Sequence, residues 1–381
     1  MKIIRLDATT DAKGLLDKIG STKAGAKIMQ DKMERHLFYI EKLRTPAANI
    51  LKQDALSIGA ELAVEKDTIL CKDTHVDALL IVSEKQRKML IRKERVQPFG
   101  LKALSDMLRE HRPVKKSMPK IMGVVNANDD SFYSGSRFRG RDALGMIRKM
   151  IEEGADIIDI GAVSSRPGSL PVDEAEELSR LKPIVDLIAA EKLHEKVRFS
   201  IDSYAPEPIA YALAHGFSIV NDITGLENDA VCQLATDHNA AVVIMHMQNR
   251  PENMQDNPHY SHVISDIDHF FHERLEKAEK FGIDDIILDP GIGFGKRLED
   301  NLMLIRHMAH FLHFGKPLLI GASRKSMIDR IVPSSVEERL PGTLALHLKA
   351  VQEGASIVRC HDVGAHFQAF KVQRALDEVL I

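Results

Sequence analysis

Ile286-Ile287-Leu288-Asp289-Pro290-Gly291-Ile292-Gly293-Phe294-Gly295-Lys296 reads as a short buried strand that delivers one carboxylate into a glycine-rich turn. Three apolar residues run straight into Asp-Pro-Gly, and Gly291, Gly293 and Gly295 let the backbone come close to a ligand. Asp289 is thereby expected at the C-terminal mouth of the strand. Taken alone, such an aspartate has an ordinary explanation, because its side chain caps its own turn. Repetition changes the reading: other apolar runs in the chain also end in a polar residue that a strand end would point into a shared mouth.

From Lys120 onward, apolar runs alternate with amphipathic stretches, the pattern of βα units and a parallel sheet. The runs are Ile121–Ala127, Asp156–Ala162, Val197–Asp202, Ile219–Ile223, Ala241–Met247, Ile286–Gly291, Pro317–Ser323 and Ile357–Asp362. Helices are expected at Asp142–Glu153, Asp173–Glu191, Val263–Phe281, Glu299–His313, Val336–Glu353 and Gly364–Leu380. Eight such units predict a (β/α)8 TIM barrel over residues 117–381, with its site at the C-terminal ends of the strands. A doubly wound open sheet is the competing architecture, but no dinucleotide fingerprint follows any strand. The strand ends deliver Asn126, the group Ser164-Ser165-Arg166, Asp202, Asn221, His246, Asp289, the group Ser323-Arg324-Lys325-Ser326, and Arg359 with His361. Each has a structural explanation of its own, as turn residue, helix cap, satisfied core histidine or salt-bridge partner. A polar group at the mouth of every expected strand favours a shared site.

The 381 residues exceed one average domain, and a barrel plus a smaller unit accounts for the length. Residues 1–116 carry 24 Lys and Arg against 16 Asp and Glu, while the whole chain carries -3. That step in charge, with the polar stretch His111–Pro119, marks a domain boundary and a small α+β N-terminal domain over residues 1–116. Within it Ile28–Leu43 and Ala47–Leu62 read as helices and Asp77–Val82 as a strand. Lys85, Arg87, Lys88, Arg92, Lys93 and Arg95 form a basic cluster, but Glu84 and Glu94 interrupt it and no aromatic interleaves it. It therefore reads as a solvated helix face rather than a nucleic-acid site. No P-loop or metal-ligand spacing occurs there, and the domain reads as accessory, with a homodimer or partner contact left open. Cys71, Cys232 and Cys360 are odd in number and unpaired by spacing, which implies reduced thiols. No apolar run reaches the ~20 residues that span a bilayer, and the N-terminus lacks a signal-peptide core, so a cytoplasmic protein without membrane or nucleic-acid partners is expected.

Asp202, Asn221 and Asp289 suit a flat heterocycle bearing N–H donors and a carbonyl. Arg166, Arg359 and His361 suit an anion such as phosphate or pyrophosphate, and Lys325 bridges the two regions. No nucleophile sits beside an obvious base, and no His-x3-His pair or carboxylate cluster points to a permanent metal. The implied chemistry is positioning plus leaving-group stabilisation without a covalent intermediate.

At these residues the chain resembles dihydropteroate synthase, the folate-pathway enzyme. The resemblance is carried by Met122-Gly123-Val124-Val125-Asn126 with Asp130-Ser131-Phe132, Ile158-Asp159-Ile160-Gly161 with Ser164-Ser165-Arg166-Pro167-Gly168, Ser200-Ile201-Asp202-Ser203, Ile219-Val220-Asn221-Asp222, Met245-His246-Met247, Leu288–Lys296, Ser323–Ser326 and Val358–Asp362. It implies a transferase in which 4-aminobenzoate attacks the methylene of 6-hydroxymethyl-7,8-dihydropterin diphosphate and pyrophosphate leaves. Carried over by position, Asp202, Asn221, Met245, Asp289, Lys325 and Arg359 hold the pterin. Asn126, Arg166, Arg359 and His361 hold the pyrophosphate, with Mg2+ near Asn126. Phe132, Ser165, Pro167, Phe294, Lys325 and Ser326 face the aminobenzoate, and the same pocket is expected to take sulfonamides. Asp202, Lys325 and Arg359 are the expected catalytic groups.

Two loops depart from the family pattern. Asn128-Asp129 stands where Thr-Pro is usual, losing the rigidity of proline, and Val163 and Ser165 stand where Glu and Thr are usual. Two alternatives keep the pterin pocket: a non-catalytic pterin-binding regulatory protein, favoured by those loop changes, and a methyltetrahydrofolate-binding methyltransferase, disfavoured by the motifs at 323–326 and 359–362.

Overall fold

The computed structural model describes residues 3–6, 10–114, 117–127, 136–163 and 172–380, with side chains of the helix at 136–152 described from residue 142. The chain divides into two compact units, residues 1–112 with 375–381, and residues 113–374.

In the first unit, strands β1 (Arg35–Arg44), β2 (Glu61–Val64) and β3 (His75–Ser83) form an antiparallel sheet in the order β1-β3-β2. Helices α1 (Ala12–Ile19), α2 (Lys23–Met33), α3 (Thr45–Ser57), α4 (Glu84–Glu94) and α5 (Leu101–Glu110) complete it. The core is Ala47, Ala48, Leu51, Leu80, Leu90 and Leu101, all fully buried. The helix expected over Ile28–Leu43 is instead α2 followed by β1. Residues 35–40 alternate exposed and half-buried, and Arg35 to Ile40 pair in continuous register with Ser83 to Ala78. Sheet pairing decides a segment whose helical and strand periods are both weak. The basic cluster lies on α4 and its C-cap Arg95, and three of its six cations pair with acids: Lys88 with Asp31 at 2.8 Å, Lys93 with Asp54 at 2.9 Å, and Arg87 with Glu84 at 2.7 Å.

The second unit is the expected (β/α)8 barrel. Strands β4 (Lys120–Asn126), β5 (Ile157–Gly161), β6 (Arg198–Asp202), β7 (Ile219–Asp222), β8 (Ala241–Met245), β9 (Ile286–Asp289), β10 (Leu319–Ile320) and β11 (Ile357–Cys360) are parallel in the order β10-β11-β4-β5-β6-β7-β8-β9. A parallel bridge from Leu288 to Leu318 joins the two ends of that order and closes the barrel. The intervening helices are α6 (Ser136–Glu152), α7 (Glu174–Ala190), α8 (Pro206–Ala214), α9 (Asp229–Asp237), α10 (Val263–Phe281), α11 (Leu298–Arg306), α12 (Ser326–Ile331), α13 (Leu340–Gln352) and α14 (Val363–Glu378). A 3₁₀ turn, Met308–Phe314, continues α11 toward β10. Outward strand residues such as Ile121, Ile158, Ile201 and Leu288 join helix residues in one large core. Among the described residues no helix is long and apolar enough to cross a membrane.

Candidate active site

Strand side chains alternate sides, so each barrel strand has one set of inward positions. Low in the barrel these are Met122, Ile157, Ile219, Val243, Ile287 and Ile357, which form a separate buried cluster. Two residues further along the same strands the inward positions become Asp159, Asn221, Met245, Asp289 and Arg359. Asp202 ends β6 in register with Gly161 and Asn221, and Asn126 ends β4 in register with Gly161. The interior thus turns mostly polar toward the C-terminal ends, with Val124 and Met245 its apolar members, where a barrel carries its site.

Arg359 organises this layer. Its Nε donates to Asp159 Oδ2 at 2.6 Å and its Nη2 to Asp202 Oδ2 at 2.5 Å, while Asn221 Nδ2 donates to the same Asp159 oxygen at 3.2 Å. The Asp159 side chain is fully buried, and its Oδ1 has no partner in the structure. Burial pushes the Asp202 carboxyl up from the usual range, opposed by the Arg359 guanidinium. Arg359 itself is held firmly protonated by Asp159 and Asp202 against its own burial. The site therefore offers carboxyl acceptors that lie close to a fixed cation, with lone pairs left for a ligand's N–H groups.

Asp289 is nearly buried, and its Oδ1 accepts from Gly291 N at 2.7 Å. The turn-capping explanation is therefore correct for one oxygen of a carboxylate that also belongs to the polar layer. Burial raises its pKa. Gly291, Gly293 and Gly295 all have positive φ, and a Cβ on Gly291 would lie 1.9 Å from the His246 carbonyl oxygen. The turn is tied down from below by Lys296, which is 1% exposed. Its Nζ reaches His246 Nδ1 at 3.0 Å and donates to the carbonyls of Gly291 (2.9 Å), Phe294 (3.0 Å) and His246 (3.2 Å). Desolvation lowers the Lys296 pKa to about 7 and holds His246 neutral, well below its usual value. Asn301 adds a bond from Gly293 N at 2.7 Å.

Lys325 follows β10; its Nζ donates to the Ile292 carbonyl and sits 4.3 Å above the Phe294 ring centre. Burial draws its pKa down to about 7, with Asp289 pulling the other way. The loops after β10 and β11 are joined by Arg324, bidentate to Asp362 at 2.9 and 2.7 Å, and by Ser323 Oγ to His361 Nδ1 at 2.9 Å. Beneath them Ala322 N donates to His347 Nε2 at 2.9 Å, so His347 Nδ1 must donate to His366 Nε2 at 2.8 Å, and His366 Nδ1 to the Asp362 carbonyl at 2.7 Å.

Asp202, Asn221, Asp289 and Arg359 belong to one polar layer, with Met245 beside Asp289 in register, and Lys325 reaches it from the loop above. Asn126 is half-buried at the end of β4, Phe294 lies under Lys325, Ser326 opens α12, and His361 lies on the rim. Phe132, Ser165, Arg166 and Pro167 lie outside the described residues, as do Asn128 and Asp129. His246 does not enter the polar layer; it is the core histidine of the ordinary explanation, packed edge-on against Phe270 at 4.9 Å and serving Lys296. Sequence reasoning missed Asp159 and Lys296. The signal for Asp159 was a carboxylate flanked by isoleucines within a strand, and for Lys296 a lysine closing three alternating glycines.

The chain matches the pterin binding enzyme family over residues 122–361. A bifunctional dihydropteroate synthase/dihydropteroate reductase from Helicobacter pylori is 44% identical over 367 residues, covering 96% of this chain and 97% of that one. The Escherichia coli dihydropteroate synthase is 39% identical over 262 residues, covering 68% of this chain and 92% of its own length. The crystal structure of the Yersinia pestis dihydropteroate synthase in a sulfonamide drug complex superposes with a TM-score of 0.65 at 34% identity, over 71% of this chain and all of that one. The chain belongs to the pterin binding enzyme family, among its dihydropteroate synthases.

Proposed function

We infer that this chain condenses 6-hydroxymethyl-7,8-dihydropterin diphosphate with 4-aminobenzoate, giving 7,8-dihydropteroate and pyrophosphate. The observation that carries the reading is the Asp159–Arg359–Asp202 bridge, with Asn221 and Asp289 in the same inward layer. Asp159, Asp202, Asn221 and Asp289 accept from or donate to the pterin edge, Met245 packs on it, and Arg359 and Lys325 cover its face. The amine lone pair forms the C–N bond as the C–O pair leaves with pyrophosphate, and the nitrogen sheds one proton. The buried carboxylates stabilise positive character at the methylene, and Arg359 and His361, with Arg166, stabilise the departing anion. Phe294, Lys325 and Ser326, with Phe132, Ser165 and Pro167, shape the aminobenzoate side, and sulfonamides are expected to compete there.

Asn126 offers a neutral amide oxygen at the end of β4, the hard donor that Mg2+ accepts alongside phosphate oxygens and water. Asn126 would hold Mg2+ there; when bound, the ion would neutralise charge on the leaving group. Pyrophosphate release with and without 4-aminobenzoate, alongside calorimetric pterin binding, tests the reading. Release that requires aminobenzoate is expected; pterin binding without release would move the chain to a regulatory role, and absence of pterin binding would sink the pocket.

A second activity is favoured by the extent of one likeness. The H. pylori bifunctional protein matches 96% of this chain, first unit included, whereas the E. coli synthase matches 68%. We propose that this chain also reduces its dihydropteroate product to tetrahydropteroate, the C=N carbon taking hydride from a reduced nicotinamide or flavin and its nitrogen taking a proton from solvent. Oxidation of reduced nicotinamide, with and without added flavin, is expected to depend on dihydropteroate; oxidation indifferent to dihydropteroate excludes it.

A further inference from the structure

On the outside of the barrel, α10 and the 3₁₀ turn Met308–Phe314 bring one carboxylate and three imidazoles together. Asp268 and His272 stand four apart on α10, hence on one face of an α-helix. His310 and His313 stand three apart in a 3₁₀ turn, where such positions eclipse. Each element therefore offers two ligating side chains to the other. Asp268 Oδ1 lies 3.0 Å from His310 Nε2 and 2.6 Å from His313 Nε2, and its Oδ2 lies 3.6 Å from His272 Nε2. One ligand atom from each of Asp268, His272 and His313 falls within 4.8 Å of the others. Ligands about 2.0–2.1 Å from a tetrahedral ion lie about 3.3 Å apart, so small side-chain rotations close the set.

We propose that Asp268, His272, His310 and His313 bind a borderline divalent transition metal of the zinc class, which clamps α10 to the segment entering β10. Imidazole nitrogens with one carboxylate select such ions over Mg2+, which wants oxygen donors. The ligands stand on a rigid base: Phe271 meets Phe311 edge-on at 5.5 Å, both rings being fully buried, and Phe314 supports His272 at 4.8 Å. Access is open, since the side chains of His272 and His310 are 59% and 45% exposed, while Asp268 and His313 are 23% and 18% exposed. The turn leads into the N-terminal end of β10, opposite the barrel mouth, where barrel residues serve stability rather than catalysis. The site is thus structural, and its loading is separable from turnover.

The test uses the full chain, freed of metal by chelation and titrated with Zn2+ by calorimetry in saturating Mg2+, then with Co2+ by visible absorption. Expected are one equivalent of Zn2+, the bands of tetrahedral Co2+, and a rise in melting temperature on the order of 5 °C at a hundredfold excess over Kd. The variant H272A/H313A is expected to weaken Zn2+ binding at least about a hundredfold while pyrophosphate release is unchanged. D268N, nearly isosteric, removes the anionic ligand without a cavity and is expected to lose affinity similarly, so the result does not depend on the double variant folding. No saturable Zn2+ binding in the parent, or binding that D268N and any folded double variant retain undiminished, overturns the site.

Discussion

Replacing Arg359 with Gln removes the cation between two carboxylates whose geometry is fixed by their strands. Asp159 is fully buried and the Asp202 side chain is 12% exposed, and each accepts a short charge-assisted bond from this guanidinium. Removing one partner of a buried ion pair costs about 3–5 kcal/mol, mostly through the charge left behind. Asp202 retains some access to water, so about 3 kcal/mol of barrel stability is the expected loss. If Arg359 also stabilises the leaving pyrophosphate, kcat/KM falls by about 10²–10³, equivalent to 3–4 kcal/mol at the transition state. Asp159→Asn in the Arg359→Gln background neutralises the stranded charge, and it is expected to recover at least half the stability while leaving turnover low. The pH dependence follows from the same charges. Burial already raises the Asp202 carboxyl against the opposing Arg359 guanidinium, so loss of the cation raises it further above the ~3.9 of the unfolded chain. The variant's deficit is therefore small below about pH 4 and grows as pH rises through the folded-state value of Asp202. Urea unfolding at pH 5 and pH 8 with pyrophosphate-release kinetics reads all three. Stability within about 0.5 kcal/mol of the parent, or turnover restored together with stability in the double variant, would refute the reasoning.

Lys296→Met leaves three carbonyls and an imidazole nitrogen short of a buried donor. It is expected to cost about 2–4 kcal/mol in urea unfolding and to raise the pterin KM about tenfold or more; an unchanged KM would mean that the glycine turn does not depend on it. Gly291→Ala forces a side chain onto positive φ and against the His246 carbonyl, so pterin affinity by calorimetry is expected to fall at least about tenfold. Glu94, fully buried with neither carboxylate oxygen partnered, has its pKa pushed up to about 7 by burial and then by Asp54. A raised acid pKa leaves stability intact below the unfolded value near 4.5 and removes it as pH climbs to about 7. Glu94→Gln is therefore expected to stabilise the first unit by up to about 3 kcal/mol at pH 8 and little at pH 4.5; an equal shift at both pH values would contradict the burial argument.

The barrel was legible because βα units repeat: each strand is a short apolar run and each helix an amphipathic one, so errors at single boundaries do not change the count. Val263–Phe281 coincides with α10 at both ends, whereas Glu299–His313 breaks into α11 and a 3₁₀ turn. The first unit was less legible, since its short helices and edge strands lack that redundancy, and β1 is specified by pairing with β3 rather than by its own period.

The sequence by itself determined which residues end the strands, and hence that Asp202, Asn221, Asp289 and Arg359 share a mouth, because alternation and strand order are local properties. Only the tertiary structure decided which of them are bonded. Asp159 enters the site because it stands one alternation below the mouth, within reach of an arginine 200 residues away. His246 leaves it because Lys296 folds back beneath the turn. The Asp268–His313 cluster likewise joins two elements that share no motif. Side-chain partnership depends on distances across the barrel, which residue spacing along the chain does not encode.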